Sequence, residues 1–271
     1  MASPYGIKTL IRRTFARRFT LARLTHRPVI GRVIDRLLFE GDDILILPRD
    51  TAIPVHRRLH ARDDLAVPSQ VLAHFIHQAR YHWVMDFCIC RDASRCQSYP
   101  RDLGCLFMGD AARAINPKFG RRVTPTEAMD HALRCREEGL VHLMGRNKLD
   151  SVWLNVGPAD RLLTVCNCCP CCCLWKILPE LSPLINGKLT RMPGISVHIS
   201  EKCVGCGSCT RDICFVNAIR LENGRARIGD QCRGCGRCLT ACPSQAIELR
   251  IDDQTYIQTT IRRIANVVEV R

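Results

Sequence analysis

No uninterrupted apolar run in this chain reaches the roughly 20 residues that a membrane-spanning helix needs. The nearest approach, Leu162 to Leu178, contains Asn167, Pro170 and Lys176 and looks apolar only because six of its residues are Cys. Near the start, Arg12, Arg13, Arg17 and Arg18 interrupt every stretch that could act as the apolar region of a secretory signal, which points to the cytoplasm. There is no Gly-rich phosphate loop, no G-x-G-x-x-G fingerprint and no C-x-x-x-C-x-x-C run, so nucleotide, flavin and radical-SAM cofactors have no support. Gly (17) and Pro (14) follow no short period, which excludes collagen-like and low-complexity chains. Aromatic residues are only 6% and are not interleaved with the basic runs, which argues against stacking on single-stranded nucleic acid.

Cysteine is what the chain has in excess: 19 of 271 residues. The number is odd, the chain is long, and the thiols sit in tight runs where neighbours could not bridge distant elements, so metal or redox-cofactor binding is favoured over a disulfide scaffold. Net charge is +14, and eight Lys or Arg with no acid fall within residues 1–34.

That arm reads as an amphipathic helix with Ile7, Leu10, Ile11, Phe15 and Phe19 on one face. Packing on the protein itself or on a partner, peripheral contact with an anionic membrane and an organelle transit peptide are its competing roles. Residues 44–47 look like a short buried strand, and residues 68–80 like a helix opened by Pro68. His74, His77 and His82, in or just after that helix, are expected to be surface or packing residues. Thr124, Pro125 and Glu127 form a capping-box signature, Ala128 to Glu138 continues the helix, and Gly139 stops it. A strand over residues 140–144 would follow, a cadence also found in winged-helix DNA-binding domains. Cys135, alone inside that helix, is expected to be a buried structural thiol.

Residues 203–242 contain an internal repeat. Cys203, Cys206 and Cys209 recur 29 positions later as Cys232, Cys235 and Cys238, while Cys214, Ala218 and Ile219 recur 28 positions later as Cys242, Ala246 and Ile247. A four-iron cubane needs four thiolates; three closely spaced Cys cover one face and the fourth arrives from farther away, in two-cluster ferredoxins from the other repeat. Cys203, Cys206, Cys209 and Cys242 are therefore assigned to one [4Fe-4S] cluster, and Cys232, Cys235, Cys238 and Cys214 to a second. The segment resembles a bacterial two-[4Fe-4S] ferredoxin domain, covering about 55 residues; it departs in having Phe215 where that pattern has Pro, and four residues between Cys209 and Cys214. Zinc is the alternative occupant.

Apart from Cys135, the remaining thiols form two sets separated by sixty residues: Cys88, Cys90, Cys96 and Cys105, then Cys166, Cys168, Cys169, Cys171, Cys172 and Cys173. Adjacent Cys fit a plain cubane poorly, because successive side chains of an extended segment point to opposite sides. Two separate sites or an unusual cluster are therefore expected, with further iron–sulfur clusters, a zinc site or a thiol relay as the possible chemistries. The first-choice ligands are Cys90, Cys96, Cys105, Cys168, Cys169, Cys171 and Cys172, followed by Cys88, Cys166 and Cys173. The layout from Gly41-Asp42-Asp43 through both sets to the repeat is similar to iron–sulfur proteins of anaerobes that carry a Cys-rich N-terminal domain; the resemblance implies a cytoplasmic redox protein and no substrate.

The expected fold is α+β: a two-cluster ferredoxin domain (195–253) attached to a mixed α/β Cys-rich domain (35–194), for which a winged-helix-like form is one reading, with the basic arm (1–34) and a tail (254–271) packing back on the body. Electron transfer through the C-terminal clusters to the N-terminal site is the expected function, with an acidic ferredoxin or flavoprotein as partner. A reductase working at the N-terminal site and a nucleic-acid-binding regulator are the alternatives. Two clusters leave a net charge of about +10, which suits steering of acidic partners.

Overall fold

The computed structural model describes residues 4–50 and 68–271, apart from the side chains of residues 4, 5 and 7. The arm is three helices, α1 (Pro4–Thr14), α2 (Arg18–Leu24) and α3 (Pro28–Leu38), with a 3-10 turn between the first two. The expected single helix breaks where Thr14 turns its hydroxyl back onto the Leu10 carbonyl (2.8 Å), and again before Pro28, which opens α3. Phe15 and Ala22 are buried, and Ile7 lies outside the described side chains. Part of the positive charge is neutralised internally: Arg12 grips Asp92 with two hydrogen bonds (2.8 and 2.6 Å), and Lys8 lies 3.6 Å from the same carboxylate.

A seven-stranded sheet forms the body. Its strands are β1 (Asp43–Ile46), β2 (His82–Met85), β3 (Leu106–Met108), β4 (Gly120–Arg122), β5 (Val141–Arg146), β6 (Leu163–Cys168) and β7 (Leu189–Arg191), arranged β4-β2-β3-β6-β5-β1-β7. Every pairing is antiparallel except β1 with β7. The helices among them are α4 (Ser69–Gln78), α5 (Ile89–Ala93), α6 (Pro125–Glu137), α7 (Lys148–Leu154) and α8 (Pro183–Asn186). In α4, Val71, Leu72, Phe75 and Ile76 are buried at helical spacing, while His77 is exposed and His82 is buried against the Ile76 carbonyl (2.7 Å). The α6 capping box is present, with Thr124 and Glu127 each accepting from the other's backbone N–H. Ala128, His131, Ala132 and Cys135 form its buried face.

The strand after α6 does not make a winged helix. β5 is hydrogen-bonded to β6 on one side and β1 on the other, and Met144 at its centre is fully buried. A wing needs a free hairpin at a sheet edge, and both edges of this strand are already used.

The repeat forms two short antiparallel ribbons, β8 (Ile195–Ile199) with β11 (Ile247–Ile251) and β9 (Ile219–Glu222) with β10 (Arg225–Ile228), plus the one-turn α9 (Arg237–Thr240). The two Ala-Ile pairs lead into β9 and β11. At Pro193–Gly194 the chain turns through a positive φ of 68°, and the Gly194 carbonyl accepts from Asp252 N–H (2.8 Å). The final helix, α10 (Tyr256–Ala265), packs Ile257 and Ile264 into the core that holds Val71, Phe75 and Leu45. Arg263 clamps Asp43 of β1 with two hydrogen bonds, and the Val270 carbonyl accepts from Arg80 N–H. Ile195 and Leu249 share that core, so apolar packing is continuous between the sheet and the repeat. Helices and mostly antiparallel strands together make the fold α+β.

Asp42, just before β1, accepts from Lys148 N–H (2.6 Å) while its other oxygen is buried without a partner. Burial pushes its carboxyl up to about 8. The folded chain therefore holds a proton that the unfolded chain releases near pH 4, so stability falls as pH rises from about 4 to 8. Asp42→Asn should flatten that dependence and raise Tm at pH 8 relative to the parent; unchanged melting profiles across this range would show that Asp42 is ionised in the fold.

Candidate metal centres

The repeat brings its thiols together in two groups of four. Cys203, Cys206, Cys209 and Cys242 line one small cavity; Cys214, Cys232, Cys235 and Cys238 line another. Each group takes three thiols from one repeat and one from the other, because the β8/β11 and β9/β10 pairings fold the halves across each other. Backbone amides point at the sulfurs, two of them in matching positions of the repeats, Ala246 N–H at Cys242 (3.3 Å) and Ala218 N–H at Cys214 (3.2 Å), and two in unmatched ones, Ala226 N–H at Cys203 (3.4 Å) and Gly234 N–H at Cys232 (3.4 Å). Such donors stabilise the negative charge of metal-bound thiolate. Gly205 allows the close turn: at φ +69° a Cβ there would come within 2.0 Å of the Gly224 carbonyl oxygen. Burial raises the thiols of Cys209, Cys232, Cys235 and Cys238, Cys235 to about 11, and neighbouring thiolates add to it. Without a metal these groups would stay protonated at neutral pH. Phe215 is buried in the apolar cluster that contains Trp175 and Phe39.

The N-terminal thiols separate into two sets, one built on β6 and the other on the turn after it. Cys166 and Cys168, two residues apart, turn to one face; Asn167 between them turns to the other, where its Oδ1 accepts from His142 Nδ1 (2.7 Å) and its Nδ2 donates to the Gly104 carbonyl (2.7 Å). Cys105, entering β3, lies 3.8 Å from Cys166. Cys88 and Cys90 come from the start of α5, and Cys173 from the loop after β6. These six thiols, with Cys169 also at the wall where it adjoins the second group, line a cavity of about 350 Å³ whose other walls are mostly apolar, closed by Phe15, Leu21 and Ala22 of the arm. Of the first-choice residues, Cys90, Cys105 and Cys168 face this chamber together with Cys88, Cys166 and Cys173. Cys96, Cys169, Cys171 and Cys172 form a second group, their sulfurs all within 4.8 Å of one another. Cys135 is fully buried beside that second group, 3.6 Å from the His131 ring, and burial pushes its thiol up to about 12.

Three arginines compensate the chamber, and composition alone did not mark them. Arg91 has no exposed surface and donates to the carbonyls of Pro100 (2.6 Å), Asn167 (2.7 Å) and Leu103. Among the described residues no carboxylate pairs with it; burial lowers its pKa, and the sulfurs of Cys88, Cys169, Cys168 and Cys105 outweigh that and raise it. Arg18 stacks on Phe15 and Phe19 at the chamber wall, with its Nε buried and without a partner. Arg237 donates to the Cys168 carbonyl. Its charge acts on both Cys168 and Cys235, placing it between the chamber and the second C-terminal group. Arg91 and Arg237 each sit next to a Cys or within a Cys spacing, which is the one signal the sequence carried. A set of sulfurs that neutralises otherwise uncompensated buried cations fits an anionic metal–thiolate cluster.

The 4Fe-4S binding domain family, Fer4, matches residues 228–248, which include Cys232, Cys235, Cys238 and Cys242. No curated protein and no solved structure matches the chain. The matched segment and the thiol groups make this an iron–sulfur protein with at least one [4Fe-4S] cluster. Among the described residues, no helix is long and apolar enough to cross a membrane.

Replacing Arg91 by Met keeps much of its stem volume but strands three carbonyls and several thiolates. A loss of about 3 kcal/mol or more is expected, read as a fall in thermal midpoint under argon. Asp92→Asn, which weakens the pairs with the half-exposed Arg12 and with Lys8, should cost about 1 kcal/mol or less. Equal losses in the two variants would refute the compensating role of Arg91.

Proposed function

We propose that the protein transfers electrons, with Cys203, Cys206, Cys209 and Cys242 holding one [4Fe-4S] cluster, Cys214, Cys232, Cys235 and Cys238 a second, and the six-thiol chamber a further iron–sulfur cluster. Such clusters supply single-electron exchange with little rearrangement of the surrounding atoms. The chain's own part is to seal the thiols from water, aim amides at the sulfurs, and set fixed cations between the groups. One observation carries this reading: Arg237 spans from Cys168 to Cys235, and Cys214, Cys232 and Cys235 pack in the same apolar cluster as Cys166, Cys168 and Cys173. The chamber and the second C-terminal group are thus neighbours, with no water-filled gap required between them. The basic surface suits an acidic ferredoxin or flavoprotein as partner. Exposed Val29, Val33 and Leu37 with Arg32 and Arg36 on α3 support an additional contact of the arm with an anionic membrane surface.

A reductase acting at the chamber is the second reading, and the mostly apolar cavity beside its six thiols favours it.

Anaerobic purification followed by iron and acid-labile sulfide determination tests the proposal. Two cubanes account for about eight irons. More than eight is expected, with Cys168→Ser removing the surplus and leaving the EPR of the C-terminal pair intact. A total of eight or fewer that Cys168→Ser does not change would empty the chamber of iron, and protein without labile sulfide would end the whole reading. Cyanide added to the reduced protein distinguishes the two readings: a change confined to the chamber's EPR signal favours the reductase, whereas no change favours transfer alone.

A further inference from the structure

The group formed by Cys96, Cys169, Cys171 and Cys172 differs from the other thiol groups in one measurable respect, its size. All four sulfurs lie within 4.8 Å of one another, and Cys96 and Cys171 are 3.7 Å apart. No other set of three or more Cys, His, Asp or Glu among the described residues draws its ligand atoms so close. Zinc binds thiolate at about 2.3 Å in a tetrahedron, which places the ligand sulfurs about 3.8 Å from each other. A cubane puts each thiolate on a different iron, with the inorganic core between them, so its ligands must stand farther apart than two ligands sharing one metal ion. The space enclosed by this group holds one ion and no core.

The local chain has the form such a site uses. Cys169 and Cys172 have the C-x-x-C spacing common in structural zinc sites, and the Cys172 N–H donates to the Cys169 sulfur (3.3 Å). Backbone amides of Ser98 and Tyr99 hold Cys96, which arrives from the turn after α5. Cys96, Cys169 and Cys172 are buried and Cys171 is exposed, so the site lies just under the surface. Four protein sulfurs leave no open position, the mark of a structural rather than a catalytic ion. The site also ties together the two distant segments that supply the chamber: Cys96 follows Cys88 and Cys90 by a few residues, and Cys169 follows Cys168 directly.

We propose that Cys96, Cys169, Cys171 and Cys172 bind a single structural Zn²⁺, separate from any iron–sulfur cluster, and that this ion clamps the Cys88–Cys96 segment to the end of β6. The assignment is independent of the electron-transfer reading.

The test is zinc analysis and zinc-edge X-ray absorption of the full chain, purified anaerobically from medium containing both iron and zinc. About one zinc per chain is expected, in a single shell of four sulfurs near 2.3 Å with no iron neighbour. Cys171→Ser, at the exposed ligand, should lose most of the zinc while iron, labile sulfide and the EPR of the C-terminal pair stay unchanged. Wild-type protein lacking stoichiometric zinc overturns the proposal. So does a zinc shell containing nitrogen or oxygen, or a Cys171→Ser variant that keeps its zinc and loses iron and sulfide together. The wild-type absorption measurement decides the matter even if the variant does not fold.

Discussion

Concentrated thiolate charge inside an apolar body is the constraint to which the rest of this structure answers. Ten thiols from two segments gather around β6, and of the eight in the repeat Cys214, Cys232 and Cys235 pack in the same apolar cluster as Cys166, Cys168 and Cys173. Buried thiolates repel one another and lose hydration, so they persist only with metal, hydrogen-bond donors and fixed cations around them. Arg91 answers this most directly. Its guanidinium is fully buried, spends its donors on three carbonyls, and has sulfur rather than carboxylate for a counter-charge. The dependence runs both ways, since the cation would be unstable there without the anionic sulfurs.

The sheet makes this charge distribution possible by sorting side chains. Because strand residues alternate, β6 sends Cys166 and Cys168 into the chamber and Asn167 into a polar network with His142, His131 and Gly104 on the opposite face. Past the strand's end the chain turns, and Cys169 joins a different group from its neighbour Cys168. Arm and tail then act as covers: Phe15 and Ala22 close the chamber, while Arg263 and Ile264 anchor the C-terminus to the sheet. The arm's basicity, seen in isolation, left packing on the protein, a partner and an anionic membrane open, and Arg12 is paired with Asp92 on α5. Charge counted along a sequence does not reveal which charges are neutralised internally.

The legibility of the chain varied with the range of the interaction. The capping box at Thr124 and Glu127, the strand near Ile44 and the helix after Pro68 depend on neighbours within a few residues, and all three elements form close to the expected boundaries. The single arm helix was mistaken because Thr14 competes locally for the Leu10 carbonyl and Pro28 restarts the chain. The winged-helix cadence failed for a longer-range reason: a helix followed by a strand is the same signal whether that strand ends at a wing or enters the middle of a seven-stranded sheet.

By itself, the sequence determined that this is a metal–thiolate protein, that residues 203–242 are a duplicated unit, and where its short-range elements begin and end. A period in the chain and a spacing between ligands are local quantities, readable without coordinates. Only the tertiary structure decided which N-terminal thiols share a site, that Arg91, Arg18 and Arg237 compensate them, and that the chamber adjoins the second C-terminal group. Most of those relations join residues sixty or more positions apart, and their distances are set by strand register and packing, to which the order of residues along the chain is blind.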